Sequence, residues 1–270
     1  MKHQIVRGLG RSFWLTTLFA AGLGTSAAVA ESVDLTNPGI TSGQINGATF
    51  LVDATHPAGT GIFGRDSGGV FLTIQSKGIE EGYNTSGGNV MDTKRTPQWN
   101  HDLQISDLGV VDYNGSSHVS FFLDINESTK ANLLSLDDVK IFTGSQGGLT
   151  HESLGGLLAD PSLTLRYSLD DFMNDTSSFV LLDYLRSGSG SGTADMAALV
   201  PLGAFAGASS DDYVYLYAKF GGDVAGAGAD AGFEEWTAGA GAPIPEPSSA
   251  LLLGLASMML IVRSRNRRRA

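Results

Sequence analysis

Four sets of residues in this chain have types and spacings that could do chemistry. Gly59-Thr60-Gly61-Ile62-Phe63-Gly64 has the spacing of a dinucleotide-binding turn, in which glycines let the backbone approach a pyrophosphate. Arg65-Asp66-Ser67-Gly68-Gly69 and another strand pattern follow it. Without a helix N-terminus there is no cradle of N–H groups for phosphate, so the glycines read as a turn-rich loop. The neighbouring carboxylates Asp137 and Asp138, or Glu234 and Glu235, have the functional groups of a glycoside hydrolase. Residues adjacent on a strand point to opposite faces, which argues against either pair working together.

Asp124-Ile125-Asn126-Glu127 opens like an oxygen-rich loop and makes Asp124, Asn126 and Glu127 the candidate metal ligands, with calcium the one cofactor to consider. The later aspartate, glycine and terminal glutamate of an EF-hand loop are missing, and polar strand ends explain the same residues. Trp99, with Tyr83 and Trp236 in other loops, could form a glycan-binding platform on which sugar rings stack; such aromatics also serve as partly buried core. Nucleophilic catalysis finds little support. There is no cysteine and no Gly-x-Ser-x-Gly elbow, and His56, His101, His118 and His151 lack metal-ligand spacing. No catalytic residue is assigned, and the chain reads as a non-enzyme.

The elements that must position these residues are short strands. Val119, Phe121, Leu123 and Ile125 alternate with Ser120, Phe122 and Asp124, and Leu163, Leu165, Tyr167 and Leu169 alternate with Ser162, Thr164, Arg166 and Ser168. A period of two marks half-buried strands. Further strand patterns cover Ala48 to Asp53, Val70 to Gln75, Leu103 to Val111, Asp138 to Phe142, Phe179 to Leu185 and Tyr213 to Phe220. Asp112-Tyr113-Asn114-Gly115 predicts a tight hairpin, because Asn and Gly both tolerate positive φ. Helix is expected only at His151 to Ala159 and for one turn at Asp195 to Leu199. The expected fold class is all-β, an antiparallel β-sandwich of jelly-roll-like form.

Two stretches, Ser187 to Gly192 and Gly221 to Gly232, are built almost wholly from small residues and are expected to be mobile loops. Thr237 to Ala242 reads as a flexible tether. All 28 acidic residues and nine of the seventeen basic ones lie between Glu31 and Pro247, a net charge of minus 19 for that body. Such a surface repels nucleic acid and anionic lipid. Without cysteine the body has no disulfides, so its stability must come from an apolar core.

The ends differ from the body. Lys2, Arg7 and Arg11 precede an apolar run from Phe13 to Gly24, and Ala28-Val29-Ala30 fits signal-peptide cleavage, with Ala28 and Ala30 as the small residues. A retained N-terminal anchor is the alternative. At the other end stand Pro245-Glu246-Pro247, an apolar run from Ala250 to Val262, and a tail with Arg263, Arg265, Arg267, Arg268 and Arg269. Arginines beyond an apolar run stay cytoplasmic and stop transfer. Thirteen residues reach only about 20 Å, so a single transmembrane helix here is short and needs Ser248, Ser249 and snorkelling arginines to complete it.

This ordered trio resembles the PEP-CTERM sorting domain of Gram-negative bacteria, with Pro245, Glu246 and Pro247 as the processing motif. The resemblance covers roughly the last tenth of the chain. It implies an exported protein delivered by Sec and signal peptidase, held transiently in the inner membrane with its body periplasmic, and cut by an exosortase for the cell surface or extracellular matrix. It further implies a structural or adhesive role linked to exopolysaccharide or biofilm. Phe122-Leu123-Asp124-Ile125-Asn126-Glu127 and Gly232-Phe233-Glu234-Glu235-Trp236 are similar to segments of uncharacterised extracellular proteins with this tail. The expected organisation is a signal peptide over 1–30, an extracellular β-sandwich over 31–236, a linker over 237–244 and a sorting segment over 245–270. A carbohydrate-binding module is the alternative function, and a polysaccharide hydrolase the third.

Overall fold

In a computed structural model, residues 31–52, 69–94, 97–170, 177–186, 194–230, 232–239 and 242–243 are described. The expected signal peptide, Asp53, His56, the 59–64 glycine motif, the Ser187 to Gly192 loop and everything from Pro245 onward lie outside those residues. Among the described residues no helix is long and apolar enough to cross a membrane.

The fold is all-β. In chain order the first strands are β1 (Ser32–Asp34), β2 (Ser42–Ile45), β3 (Ala48–Val52), β4 (Val70–Ile74), β5 (Lys77–Gly78), β6 (Glu80–Tyr83), β7 (Leu103–Gln104), β8 (Gly109–Tyr113) and β9 (Ser116–Asp124). There follow β10 (Leu133–Gly144), the helix α1 (Leu154–Ala159), β11 (Leu163–Ser168), β12 (Phe179–Asp183), β13 (Met196–Pro201), β14 (Tyr213–Phe220), β15 (Ala229–Asp230), β16 (Glu234–Ala238) and β17 (Ala242–Pro243). One sheet runs β1-β12-β10-β14-β6, with β11 also paired to β10 and β7 to β14. The other runs β17-β8-β9-β13-β3-β2, and β16 links β9 to β4. β5 and β15 form a separate two-stranded pair. Only β1 and β12 run parallel among these pairings.

Both sheets contribute to a single apolar core. Phe50, Phe71, Phe121 and Trp236 from the second sheet meet Leu134, Val139, Ile141 and Leu216 from the first. Each sheet also carries apolar side chains on its far face: Leu51, Val111, Phe122 and Leu199 on one, Tyr83, Phe142, Tyr215 and Tyr217 on the other. The central strands β9 and β10 are therefore buried along almost their whole length, not half-buried as their alternation suggests. On the first sheet, Leu157 of α1 packs over the far face, and Ser153 caps that helix by accepting from the Gly156 N–H at 3.3 Å.

Local rules account for the turns. Asn114 and Gly115 have φ of 52° and 78°, the twist a two-residue β8–β9 hairpin requires, and Asn46 and Gly47 (47° and 82°) make the same turn between β2 and β3. β11 departs from its pattern. Its register with β10 slips between Ile141 and Phe142, so Tyr167 faces the shared core while Leu165, expected on the same side, is 41% exposed.

Three expectations are corrected. Asp195 to Leu199 is not a helical turn, because Met196–Pro201 is a buried strand between β9 and β3, where cross-strand pairing outweighs helix propensity. Gly221 to Gly232 is not a loose loop throughout. Gly221 N–H donates to Ser135 O at 2.9 Å, Ser135 N–H donates to Ala227 O at 3.0 Å, and Ala227 and Ala229 are buried. Small residues permit this approach: at Gly221 (φ +82°) a Cβ would sit 2.1 Å from Gly78 O. The tether read from Thr237 is the third, since β16 runs to Ala238 and Ala242–Pro243 pairs with β8.

Candidate functional site

The aromatic platform does not assemble. Trp99 is 40% exposed in a turn, but Tyr83 and Trp236 lie on strands and are fully buried. Tyr83 packs edge-on to Tyr215 with centroids 6.1 Å apart, and its hydroxyl accepts from the His151 N–H at 2.7 Å. Burial holds that hydroxyl protonated, with its pKa pushed up to about 12. Trp236 belongs to the shared core. Partial burial in a loop and complete burial on a strand cannot be separated for one aromatic residue from its neighbours in sequence.

The paired aspartates are structural. Asp137 is the bulged residue between Leu136 and Asp138, where β10 slips against β14. Asp138 forms a buried ion pair with Lys140 at 2.8 Å, and Lys140 also reaches Ser168 Oγ at 2.9 Å. Asp137 accepts backbone N–H groups from Gly222 and Asp223. His151 pairs with Asp160 at 2.9 Å, remote in sequence from any other histidine.

The candidate calcium trio separates. Asn126 turns its amide nitrogen toward Asp124, at 3.5 Å, and donates to Phe233 O at 2.9 Å, whereas Glu127 turns to Asp230. No group of three or more His, Asp or Glu side chains among the described residues stands ready-made around a metal position.

Glu127 instead joins a different set that the sequence does not advertise. Pairing of β9 with β16 places Asp124 opposite Glu235, so the chain leaving β9 passes the first residue of β16, Glu234. Glu234 lies across from Ile74, the last residue of β4, and the chain then turns through β5 to Glu80 at the start of β6. β15, paired to β5, brings Asp230 opposite Lys77. Four strand ends thus bring Glu80, Glu127, Asp230 and Glu234 to one end of the domain. Gly232 makes the crossing possible, since a Cβ there would sit 1.8 Å from Asn126 O.

The three glutamates are buried, with Glu80 and Glu234 fully so. Glu80 Oε2 accepts the Ser76 N–H at 2.6 Å, Glu127 Oε2 accepts the Asp230 N–H at 3.0 Å, and Asp230 Oδ2 accepts the Ser128 N–H at 2.9 Å. Glu80 Oε1, Glu127 Oε1 and both oxygens of Glu234 receive no N–H or hydroxyl donor. Neighbouring carboxyls also reach these side chains: Glu80 contacts Glu234, and Glu127 contacts Asp230. Burial first, then the adjoining carboxyls, drives Glu234 far above the carboxylate range and Glu127 to about 8. Asp230, on the outer side, is lowered, chiefly by its bond from Ser128. Chemically the buried glutamates of the cluster can hold protons between them, and Asp230 is the member that reaches toward solvent as a carboxylate.

No family model, no characterised protein and no solved structure matches the chain.

Proposed function

We propose that this chain is an exported surface or extracellular-matrix protein, sorted by its C-terminal segment and processed by an exosortase-like transpeptidase. Its body serves a structural or adhesive role beside exopolysaccharide and takes the form of a jelly-roll-like β-sandwich. The observation that carries the reading is the order of Pro245-Glu246-Pro247, the apolar run 250–262 and five arginines, following a signal-peptide pattern at the other end. Features of the body agree with it. The domain has one continuous core and a strongly acidic sequence, and its paired aspartates are engaged in ion pairing and backbone capping.

The test is processing in native cells. Glu246→Ala leaves the span intact and should stop release, so that unprocessed protein accumulates in the inner membrane. Unchanged release from that variant removes the exosortase from the account. A carbohydrate-binding role retains one supporting feature, the exposed Trp99, and glycan-array binding abolished by Trp99→Ala would favour it.

A further inference from the structure

We propose that the Glu80–Glu234 carboxyl pair is a proton-operated clasp between the two sheets, closed while one proton is shared across it and opened, together with the adjoining β5–β15 strip, when a rise in external pH removes that proton. Glu80 opens β6 opposite Phe220 in the first sheet, and Glu234 opens β16 opposite Ile74 in the second, so their contact joins the layers. β5 and β15 belong to neither sheet and lie on the connections that lead into these two residues. The strip is therefore what an open clasp frees first.

The geometry of the pair requires a proton. Glu80 and Glu234 are both fully buried, and their carboxyls hydrogen-bond each other. Two carboxylates cannot make such a bond, so one of them must be an acid that donates its O–H. The backbone selects which. Glu80 Oε2 accepts the Ser76 N–H at 2.6 Å, which favours its charged form, whereas neither oxygen of Glu234 receives an N–H or hydroxyl from elsewhere. Glu234 is thus the acid and Glu80 the acceptor.

The surroundings make that one proton decisive. Asp92 acts on Glu80 from the turn after β6, and Glu127 and Asp230 act on Glu234 from the segment after β9 and from β15, all of them acidic groups. The cations on the flanking elements are engaged elsewhere: Lys77 acts on Asp230, Lys94 donates to Gln75 and stands 5.0 Å from the ring centroid of Phe233, and Lys219, across from Glu81, acts on Asp138. A second charge on the pair is therefore uncompensated, and a buried unpaired carboxylate draws in water or moves out to it. Water is close, since Ile79 and Phe233, the residues just before Glu80 and Glu234, are 58% and 43% exposed. Burial raises Glu234 above its unfolded value near 4.5, so the clasp contributes fully below that pH and loses its contribution as pH rises through the folded value. The clasp does not depend on the sorting tail, so it stands or falls separately from the export reading.

The test is hydrogen exchange of the full chain in detergent, read by mass spectrometry from pH 6 to pH 10 and divided at each pH by the unfolded-peptide rate. In peptides covering residues 75–83 and 227–236, protection should fall about tenfold per pH unit once the folded value of the pair is passed, while β10 and β14 keep theirs. Glu234→Gln keeps the shape and gives Glu80 an N–H donor that does not titrate, so protection of the same peptides should stay level over that range. If that variant does not fold, Glu80→Gln, whose amide donates to Glu234, carries the same comparison. Constant protection in the parent up to pH 10, an equal fall in parent and variant, or a fall shared equally by β10 and β14 overturns the clasp.

Discussion

Replacing Lys140 by methionine should be one of the costliest single changes that leave the apolar core intact. Lys140 Nζ lies 2.9 Å from Asp138 Oδ1, 2.8 Å from Oδ2 and 2.9 Å from Ser168 Oγ, and Lys140 and Asp138 are only 2% and 6% exposed. Methionine fills the space of the lysine stem, so little packing is lost. What remains is a buried carboxylate without its cation, for which the expected cost is about 3–5 kcal/mol. For a domain of this size that corresponds to a Tm lower by roughly 6–20 °C. The effect depends on pH. Burial raises the Asp138 pKa even beside Lys140, which acts to lower it, so removing the lysine raises it further. A raised carboxyl stabilises the fold below its unfolded value near 3.8 and loses that contribution as pH rises through the folded value. The penalty of Lys140→Met should therefore be full at pH 7.5 and shrink toward pH 4.5. Adding Asp138→Asn should recover most of it at pH 7.5. Urea melts of the parent and the two variants at both pH values measure this, and a loss below about 1 kcal/mol at pH 7.5, or no recovery in the double variant, refutes the reasoning.

Asp195, buried at the start of the segment that becomes β13, has a pKa pushed up to about 8, mainly by desolvation. Its contribution is present below pH 3.8 and lost as pH rises through about 8, so Asp195→Asn, which keeps an acceptor for the Ile125 N–H, should be more stable than the parent at pH 8.5 and not at pH 4. Thermal melts at the two pH values check the crossover. Gly115→Ala, at φ +78° with open space around it, should cost about 1–2 kcal/mol from backbone strain alone. Gly221→Ala adds a 2.1 Å clash with Gly78 O and should cost clearly more in the same denaturation assay. Trp236→Ala should lose about 3–5 kcal/mol, whereas Trp99→Ala should lie within about 0.5 kcal/mol of the parent.

The parts of this fold that follow from local chemistry were legible in the sequence. Asn114-Gly115 makes its hairpin because the turn's twist depends on two residues, and Tyr213–Phe220 is a strand over its full predicted length. Long-range effects were not. The slip in β11 that turns Leu165 outward depends on the register with β10, and the packing of Gly221 to Ala229 depends on Gly78 and Ser135 more than 80 residues away. The carboxyl cluster shows the same limit. Glu127 stood out because Asp124 and Asn126 precede it, yet its actual neighbours are Glu80, Asp230 and Glu234, whose spacing along the chain carries no periodic signal. In the sequence Glu234 reads as half of a carboxylate pair with Glu235. Position at the start of a buried strand, with no basic residue nearby, was the one available clue that it needed a partner from elsewhere.

Mass spectrometry of the mature protein from native cells tests the central claim most directly. Export with sorting predicts a chain that begins at Glu31 and ends near Pro245–Pro247, recovered from the surface or the medium and lacking the arginine tail. An intact chain carrying Ala270, recovered freely soluble from the cytosol, would contradict it.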